Sequence, residues 1–296
     1  MSRQNIAKPR IFINIPEYLS ATGTSIDPLF RTLPVTPNTM EVGYAHYLPG
    51  SGEGAITITN PYIAILRHTM NGKDMGVYSD AGSTTVSTTS IINGDFGSQL
   101  DGFSIFSTVA DAQYIKLISP SNDEWGSLIY GSWYDFPVSP DMKLTLEYEY
   151  KGRKEIESKG GHSLSNTFYS GPPDWGQNGA WELGGGTTRH VKSGRRIWTV
   201  SFSFMTESSI WPEYAHLQTN QGGGAWVYNN HFMDDDSLQR MIHFTQGGQI
   251  PFIWCSDGDN IRQDNLVIAK FDMKTFKLTQ KSFSTYSIKF KIREVW

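Results

Sequence analysis

The chain has one cysteine in 296 residues, Cys255, which excludes an internal disulfide framework. Cys255 follows the apolar run Ile250-Pro251-Phe252-Ile253-Trp254 and is expected to be a buried, inert thiol, not a nucleophile. Long apolar stretches are missing too. Nowhere do about 18 apolar residues follow one another, so no membrane-spanning helix is expected. At the N-terminus Asn14, Pro16 and Glu17 interrupt Ile11 to Leu19, leaving no apolar segment of signal-peptide length. The expectation is folding in a reducing cytosol. An excess of one charge is also lacking: a formal net charge of −4 gives no general reason to expect nucleic-acid binding, although it allows a local basic patch.

The spacings that carry chemistry are absent as well. His46, His68, His162, His190, His216, His231 and His243 form no HExxH pair and no other zinc spacing. Gly184-Gly185-Gly186-Thr187 and Gly222-Gly223-Gly224 lack the Lys-Ser/Thr of a phosphate loop, and no G-x-S-x-G elbow offers a serine nucleophile. Asp257-Gly258-Asp259-Asn260 looks like the opening of a calcium loop, but Arg262 and Ile268 stand where that loop needs glycine and a bidentate glutamate. It reads as a polar turn. Paired carboxylates for glycoside hydrolysis are defined in space, and candidates such as Asp174 and Glu182 have no special context. No catalytic residue, cofactor or metal site is therefore expected, and the chain is not read as an enzyme.

What is present is strand signal and aromatic residues. A hydrophobic fraction of 38% with 18% charged residues fits a globular protein. Met142, Leu144, Leu146, Tyr148 and Tyr150 alternate with polar residues, as do Trp198, Val200, Phe202 and Phe204, and again Ile288, Phe290 and Ile292. Successive side chains of a strand point to opposite faces, so each run predicts a strand with one face buried. Ile11, Ile13 and Ile15 share a face near the start. Shorter pieces span Ala55 to Thr59, Tyr62 to Leu66, Val86 to Gly97 with an Asn93-Gly94 turn, Phe103 to Ser107 and Tyr114 to Ile118. Helix is scarce. One runs from about Asp235 to Phe244, with Asp234, Asp235 and Asp236 at its positive end and Gly247-Gly248 as the stop; a shorter one covers Glu17 to Ala21.

The predicted fold class is mainly β with little helix: an antiparallel β-sandwich or barrel domain together with a jelly-roll β-sandwich. The predicted organisation is an N-terminal segment, 1–34, packing with the C-terminal domain, a jelly roll over 35–137, and a β-rich assembly domain over 138–296 containing the short helix near 235–244. The boundary falls near Pro137 to Pro140. Tryptophans and tyrosines in glycine- and proline-rich sequence (Trp175, Trp181, Trp211, Trp226, Tyr228) divide between internal packing, subunit contact and ligand contact, because a large rigid ring anchors an interface well. Lys289, Lys291 and Arg293 form a basic face that meets either water or an acidic neighbour.

Several segments of the second half carry a resemblance: Lys159-Gly160-Gly161-His162, Trp175-Gly176 with Gly179-Ala180-Trp181-Glu182, and Ser193-Gly194-Arg195-Arg196-Ile197-Trp198 leading into Ser201-Phe202-Ser203-Phe204. To these add Gln246 to Ile253, Ala269-Lys270-Phe271-Asp272-Met273 and Lys291-Ile292-Arg293-Glu294-Val295-Trp296. Through them residues 141–296 resemble structural proteins of tailed bacteriophages. Tyr62 to Met70 followed by Gly72, with Ala112 to Leu117 and Ile129-Tyr130-Gly131, is similar to galactose-binding-like jelly rolls of phage tail proteins, with Thr69 where asparagine is usual. The resemblance implies a virion protein assembled in the host cytoplasm, at the tail tip or in a distal-tail-like baseplate ring. Its partners would be copies of itself and tail tube, hub or baseplate proteins, with host surface glycans as a further candidate. The alternatives are a carbohydrate-binding, receptor-contacting tail component and a neck or capsid-associated protein.

Overall fold

The computed structural model describes residues 6–21, 27–33, 38–40, 45–47, 60–66, 68, 74–78, 85–90, 99–100, 103–107, 116–118, 122–149, 153–167, 195–211, 237–259, 261 and 265–295. The first half carries β1 (Arg10–Phe12), α1 (Ile15–Ala21), β2 (Asn38–Met40), β3 (Ala45–Tyr47), β4 (Pro61–Leu66), β5 (Asp74–Tyr78), β6 (Thr85–Ser90), β7 (Gln99–Leu100), β8 (Phe103–Ser107), β9 (Lys116–Ile118), β10 (Asp123–Trp125) and β11 (Ser127–Asp135). The second carries β12 (Thr145–Glu149), β13 (Arg153–Glu157), β14 (Ser163–Thr167), β15 (Arg195–Thr206), α2 (Glu207–Ile210), α3 (Leu238–Phe244), β16 (Phe252–Cys255), β17 (Leu266–Phe271), β18 (Leu278–Ser282) and β19 (Thr285–Glu294). The fold is mainly β and antiparallel, as the alternation and the scarcity of helix predict.

One large sheet organises the molecule, in the order β12-β15-β19-β17-β16-β1-β11-β4-β8-β7, with β18 paired to β19 beside it. A four-stranded sheet, β3-β9-β5-β6, and the pairs β2-β10 and β13-β14 stand apart from it. The described strands of the middle region thus divide between two antiparallel sheets. The predicted strand at Ala55 to Thr59 and the Asn93-Gly94 turn lie outside the described residues.

The large sheet crosses the expected boundary at residues 137–140, and three residues join its halves. β1 pairs with β11 on one side, Ile11 opposite Tyr134, and with β16 on the other, Ile11 opposite Trp254. The N-terminal segment therefore lies between strands from both halves of the chain.

Burial explains which sequence patterns form which part of this sheet. In its middle the strands bury both faces. Ile63 and Ile65 of β4, Leu128 and Tyr130 of β11 and Phe252 and Trp254 of β16 belong to one apolar cluster. Their alternates Tyr62, Ala64, Leu66, Ile129, Ile253 and Cys255 belong to a second cluster. Such strands read as unbroken apolar runs because neither face meets water. At the β12-β15-β19 end one face is covered. Val200, Phe202, Ile288, Phe290 and Ile292 enter the first cluster, while Lys289 and Lys291 are exposed. Phe136 stacks on Phe202 with ring centroids 4.5 Å apart and meets Phe290 edge-on at 5.8 Å.

α3 contributes Leu238, Met241 and Phe244 to the first cluster, and Phe244 meets Tyr18 of α1 edge-on with ring centroids 4.8 Å apart. The Oγ of Ser237 accepts the Arg240 N–H and caps the first turn of α3. The helix starts later than the predicted Asp235, and Asp234, Asp235 and Asp236 lie outside the described residues. Its stop is where the glycines predict: Gly247 and Gly248 take φ of 66° and 97°, and a Cβ on Gly248 would stand 2.6 Å from the Phe271 carbonyl oxygen.

Two predicted faces differ from the observed ones. β12 covers five residues, and Met142, ahead of it, is fully exposed. At this sheet edge Leu144 and Leu146 still reach the core, but Tyr148 is solvent-facing. In β15, Phe204 does not share the buried face of Phe202. The register against β19 shifts between Phe202 and Met205, so Phe202 pairs with Ile288 and Met205 with Tyr286. Two residues on β15 thus oppose one on β19, a β-bulge that reverses the faces. Met205 is buried, and Phe204 is 72% exposed.

Candidate interaction surface

Among the described residues, polar side chains collect on the face of β15, β19 and β18 that is turned away from the core. Alternation places Thr199, Ser201 and Ser203 of β15 beside Ser287, Lys289 and Lys291 of β19, with Thr199 opposite Lys291 and Ser201 opposite Lys289. Thr279 and Lys281 of β18 extend the row, Thr279 opposite Ser287. With Asp141, Asp272 and Lys277 these side chains line an open groove of about 720 Å³. The strands that form its floor bury Ile288 and Phe290 beneath it, so the groove has a rigid base.

Two aspartates mark its sides. The Asp141 N–H donates to the Ser201 carbonyl at 2.7 Å, and its Oδ2 accepts from the hydroxyls of Ser201 at 2.9 Å and Ser203 at 2.6 Å. This stretch of chain caps the edge of β15 that β12, which reaches only Thr199, leaves open. Lys291 Nζ lies 3.2 Å from Asp272 Oδ2. Lys277, Lys281 and Lys289 are exposed and make no ion pair among the described residues. Ammonium and hydroxyl donors over a flat, rigid floor suit carboxylate or phosphate oxygens.

Two exposed phenylalanines, Phe204 and Phe283, lie on the chain segments that continue from the strands of this groove. The bulge sets Phe204 opposite Ser287, which lines it. Phe283 lies in the turn between β18 and β19, next to Ser284 with φ of 52°, and is 93% exposed. The turn is held to the end of β15: the Glu207 N–H donates to the Ser284 carbonyl, and Ser284 Oγ donates to Glu207 Oε2, both at 3.2 Å.

The predicted basic face of the C-terminal strand is split by the structure. Lys289 and Lys291 belong to the groove. Arg293 does not: its guanidinium is half-buried and pairs with Glu149 of β12. Beside it, burial and then the charge of Arg293 lower the pKa of Arg195. On the covered face β19 continues Ile288, Phe290, Ile292 into Glu294, a carboxylate only 1% exposed. Glu294 accepts from Arg196 at three donors: the backbone N–H at 2.8 Å, Nε at 3.1 Å and an Nη at 3.1 Å. Three bonds to one buried carboxylate satisfy both charges where water is excluded. The Arg196 guanidinium also lies 5.4 Å from the Trp198 ring centroid.

Of the loop aromatics, Trp211 packs inward, edge-on to Tyr286 with ring centroids 4.6 Å apart, against the main core. Trp175, Trp181, Trp226 and Tyr228 lie outside the described residues, as do Asp174, Glu182 and the glycine runs at 184–186 and 222–224. Cys255 is buried, and desolvation pushes its thiol pKa up to about 12. His68 is buried with its Nε2 2.8 Å from Ser104 Oγ. Among the described residues no three His, Cys, Asp or Glu side chains gather as metal ligands, and no helix is long and apolar enough to cross a membrane.

Sequence reasoning identified Lys289 and Lys291 but missed Lys277, Lys281 and the two exposed phenylalanines. For Lys281 there was little signal, since Leu278 is the one apolar residue of Leu278 to Ser282. For Phe204 there was none, since alternation places it inward. Compared with family models, curated proteins and solved structures, the chain matches none.

Proposed function

We propose that this protein is a structural subunit of a larger assembly, working through its sheet surface and not by catalysis. The observation that carries this reading is the face of β15, β18 and β19 turned away from the core, where Lys281, Lys289 and Lys291 are exposed. It forms a groove lined by lysines and hydroxyls, and Phe204 in β15 and Phe283 in the β18–β19 turn are both more than two-thirds exposed. Large exposed apolar side chains next to ordered polar groups suit a protein interface, because burying each ring contributes about 1.5–3 kcal/mol. The segments between residues 141 and 296 that resemble tailed-phage structural proteins support placing that assembly in a virion tail, as a baseplate-ring or tail-tip subunit.

The test is direct. Particles from the producing culture are purified and their proteins identified by mass spectrometry, with antibody labelling of the chain in electron micrographs. The chain should appear in several copies per particle at the tail end. Its absence from purified particles overturns the reading, and labelling at the neck moves the subunit to the other end of the tail.

A further inference from the structure

We infer that the groove over β15, β18 and β19 is a binding site for a small anion carrying two or more adjacent phosphate groups. Thr279 pairs with Ser287 and Leu278 with Ile288, and the next step of that register sets Lys277 across from Lys289. Lys291 follows Lys289 on the same face of β19, about 7 Å along the strand. Like charges directly opposite on neighbouring strands destabilise a sheet, so the fold by itself gives no reason for this grouping. Two carboxylates line the groove with four lysines, and both are engaged. Asp272 pairs with Lys291, and Asp141 accepts from the hydroxyls of Ser201 and Ser203. Lys277, Lys281 and Lys289 are exposed and make no ion pair among the described residues. A bound anion relieves their mutual repulsion, and three ammonium groups match more than one anionic group.

The kind of anion follows from the kind of cation. Every cation lining the groove is a lysine; Arg293, on the same strand, is turned to Glu149. A guanidinium fork matches a planar carboxylate through two parallel bonds, whereas ammonium groups are point donors that suit tetrahedral phosphate oxygens approached from several sides. The hydroxyls give the groove a direction. Ser201 and Ser203 donate to Asp141, and Ser287 donates to the Thr279 carbonyl, so these oxygens turn lone pairs to the groove and draw the anion toward the lysines. At about 720 Å³ the groove has the size of a small-molecule site. Phe290, the one aromatic residue lining it, is fully buried. No ring is therefore offered for stacking, and the phosphates themselves carry recognition.

The experiment uses the full chain and isothermal titration calorimetry, with inorganic tripolyphosphate as the probe. Tripolyphosphate should bind at one per chain, raise the melting temperature and weaken with salt. Inorganic monophosphate and citrate should bind at least about tenfold more weakly. K277Q/K289Q should lose at least about tenfold in affinity, whereas K143Q/K159Q removes two exposed lysines outside the groove and should change nothing. K281Q gives the same reading if the double variant fails to fold. Adenosine triphosphate distinguishes the two sources of such an anion. Affinity equal to that of tripolyphosphate assigns free polyphosphate, and tighter binding that K277Q/K289Q abolishes assigns a nucleotide. Failure of tripolyphosphate to bind overturns the inference. So does citrate binding as tightly, or an equal loss in K143Q/K159Q. The virion reading stands or falls separately, because its test is the presence of the chain in purified particles.

Discussion

A Cβ on Gly131 would stand 2.0 Å from the carbonyl oxygen of Ile13. The two segments are locked at this point: the Ile13 N–H donates to the Ser132 carbonyl at 3.0 Å, and the Tyr62 hydroxyl donates to the Ile13 carbonyl at 2.8 Å. Only glycine allows β11 to approach the N-terminal segment so closely. Gly131→Ala should therefore displace β1 from its place between β11 and β16, at a cost of about 3 kcal/mol or more. Urea denaturation of the variant measures this. A loss below about 1 kcal/mol would mean that the N-terminal segment yields easily.

The Arg196–Glu294 pair makes a second prediction. Removing one member leaves a buried charge uncompensated, so Arg196→Met and Glu294→Gln should each destabilise by about 3–5 kcal/mol. In the double variant the glutamine side-chain oxygen can still accept the backbone N–H at position 196. Its loss should be well below the sum of the two single losses. Additive losses in a double-mutant cycle would show that the two side chains do not act as a unit.

The bulge in β15 predicts opposite outcomes for neighbouring residues. Met205→Ala opens a cavity in the core and should cost about 2–5 kcal/mol. Phe204→Ser removes only solvent-exposed surface and should change stability by no more than about 0.5 kcal/mol. Thermal melts of the two variants decide this. The reverse ranking would place Phe204 inward and remove the bulge.

Cys255 should resist thiol reagents in the native protein and react fully once it unfolds. The sign of its pH effect follows from burial. Its pKa rises from an unfolded value of 9.0 to about 12, so between these limits the unfolded state has released a proton that the native state keeps. The stability contributed by the protonated thiol is complete below pH 9 and declines as pH rises toward 12. Tyr62 and Tyr130, whose buried hydroxyls are also raised above their ordinary value of 10.0, act in the same direction. Denaturation midpoints should fall steadily across this alkaline range, and Cys255→Ala should reduce the slope.

Deleting residues 288–296 should abolish soluble folding. β19 lies between β15 on one side and β17 and β18 on the other, and the deletion removes six of its eight register pairs with β15, all three with β17 and one of four with β18. Ile288, Phe290 and Ile292 are all buried. Each contributes about 1.5–3 kcal/mol by burial, against a typical total stability of about 5–15 kcal/mol. Soluble truncated protein with a cooperative melt would show β19 to be peripheral.

Alternation alone determined much of this protein. Period-two patterns at Trp198 to Phe202 and Ile288 to Ile292 gave strands with the correct buried faces, because a half-buried antiparallel strand must alternate. The apolar context of Cys255 gave its burial, and Gly247-Gly248 gave the end of α3, because few other residues adopt positive φ. The groove was legible only in part, through Lys289 and Lys291. Tertiary structure decided the rest. Phe204 faces outward because one extra residue shifts the β15–β19 register, and a bulge leaves the local sequence pattern unchanged. Arg293 turns to Glu149, and Glu294 to Arg196, because pairing sets residues about a hundred or more positions apart side by side. The three residues of β1 join both halves into one sheet because Gly131 lets a distant backbone approach. Local pattern fixes which way a side chain points along its own strand; only the assembled sheet determines what it meets.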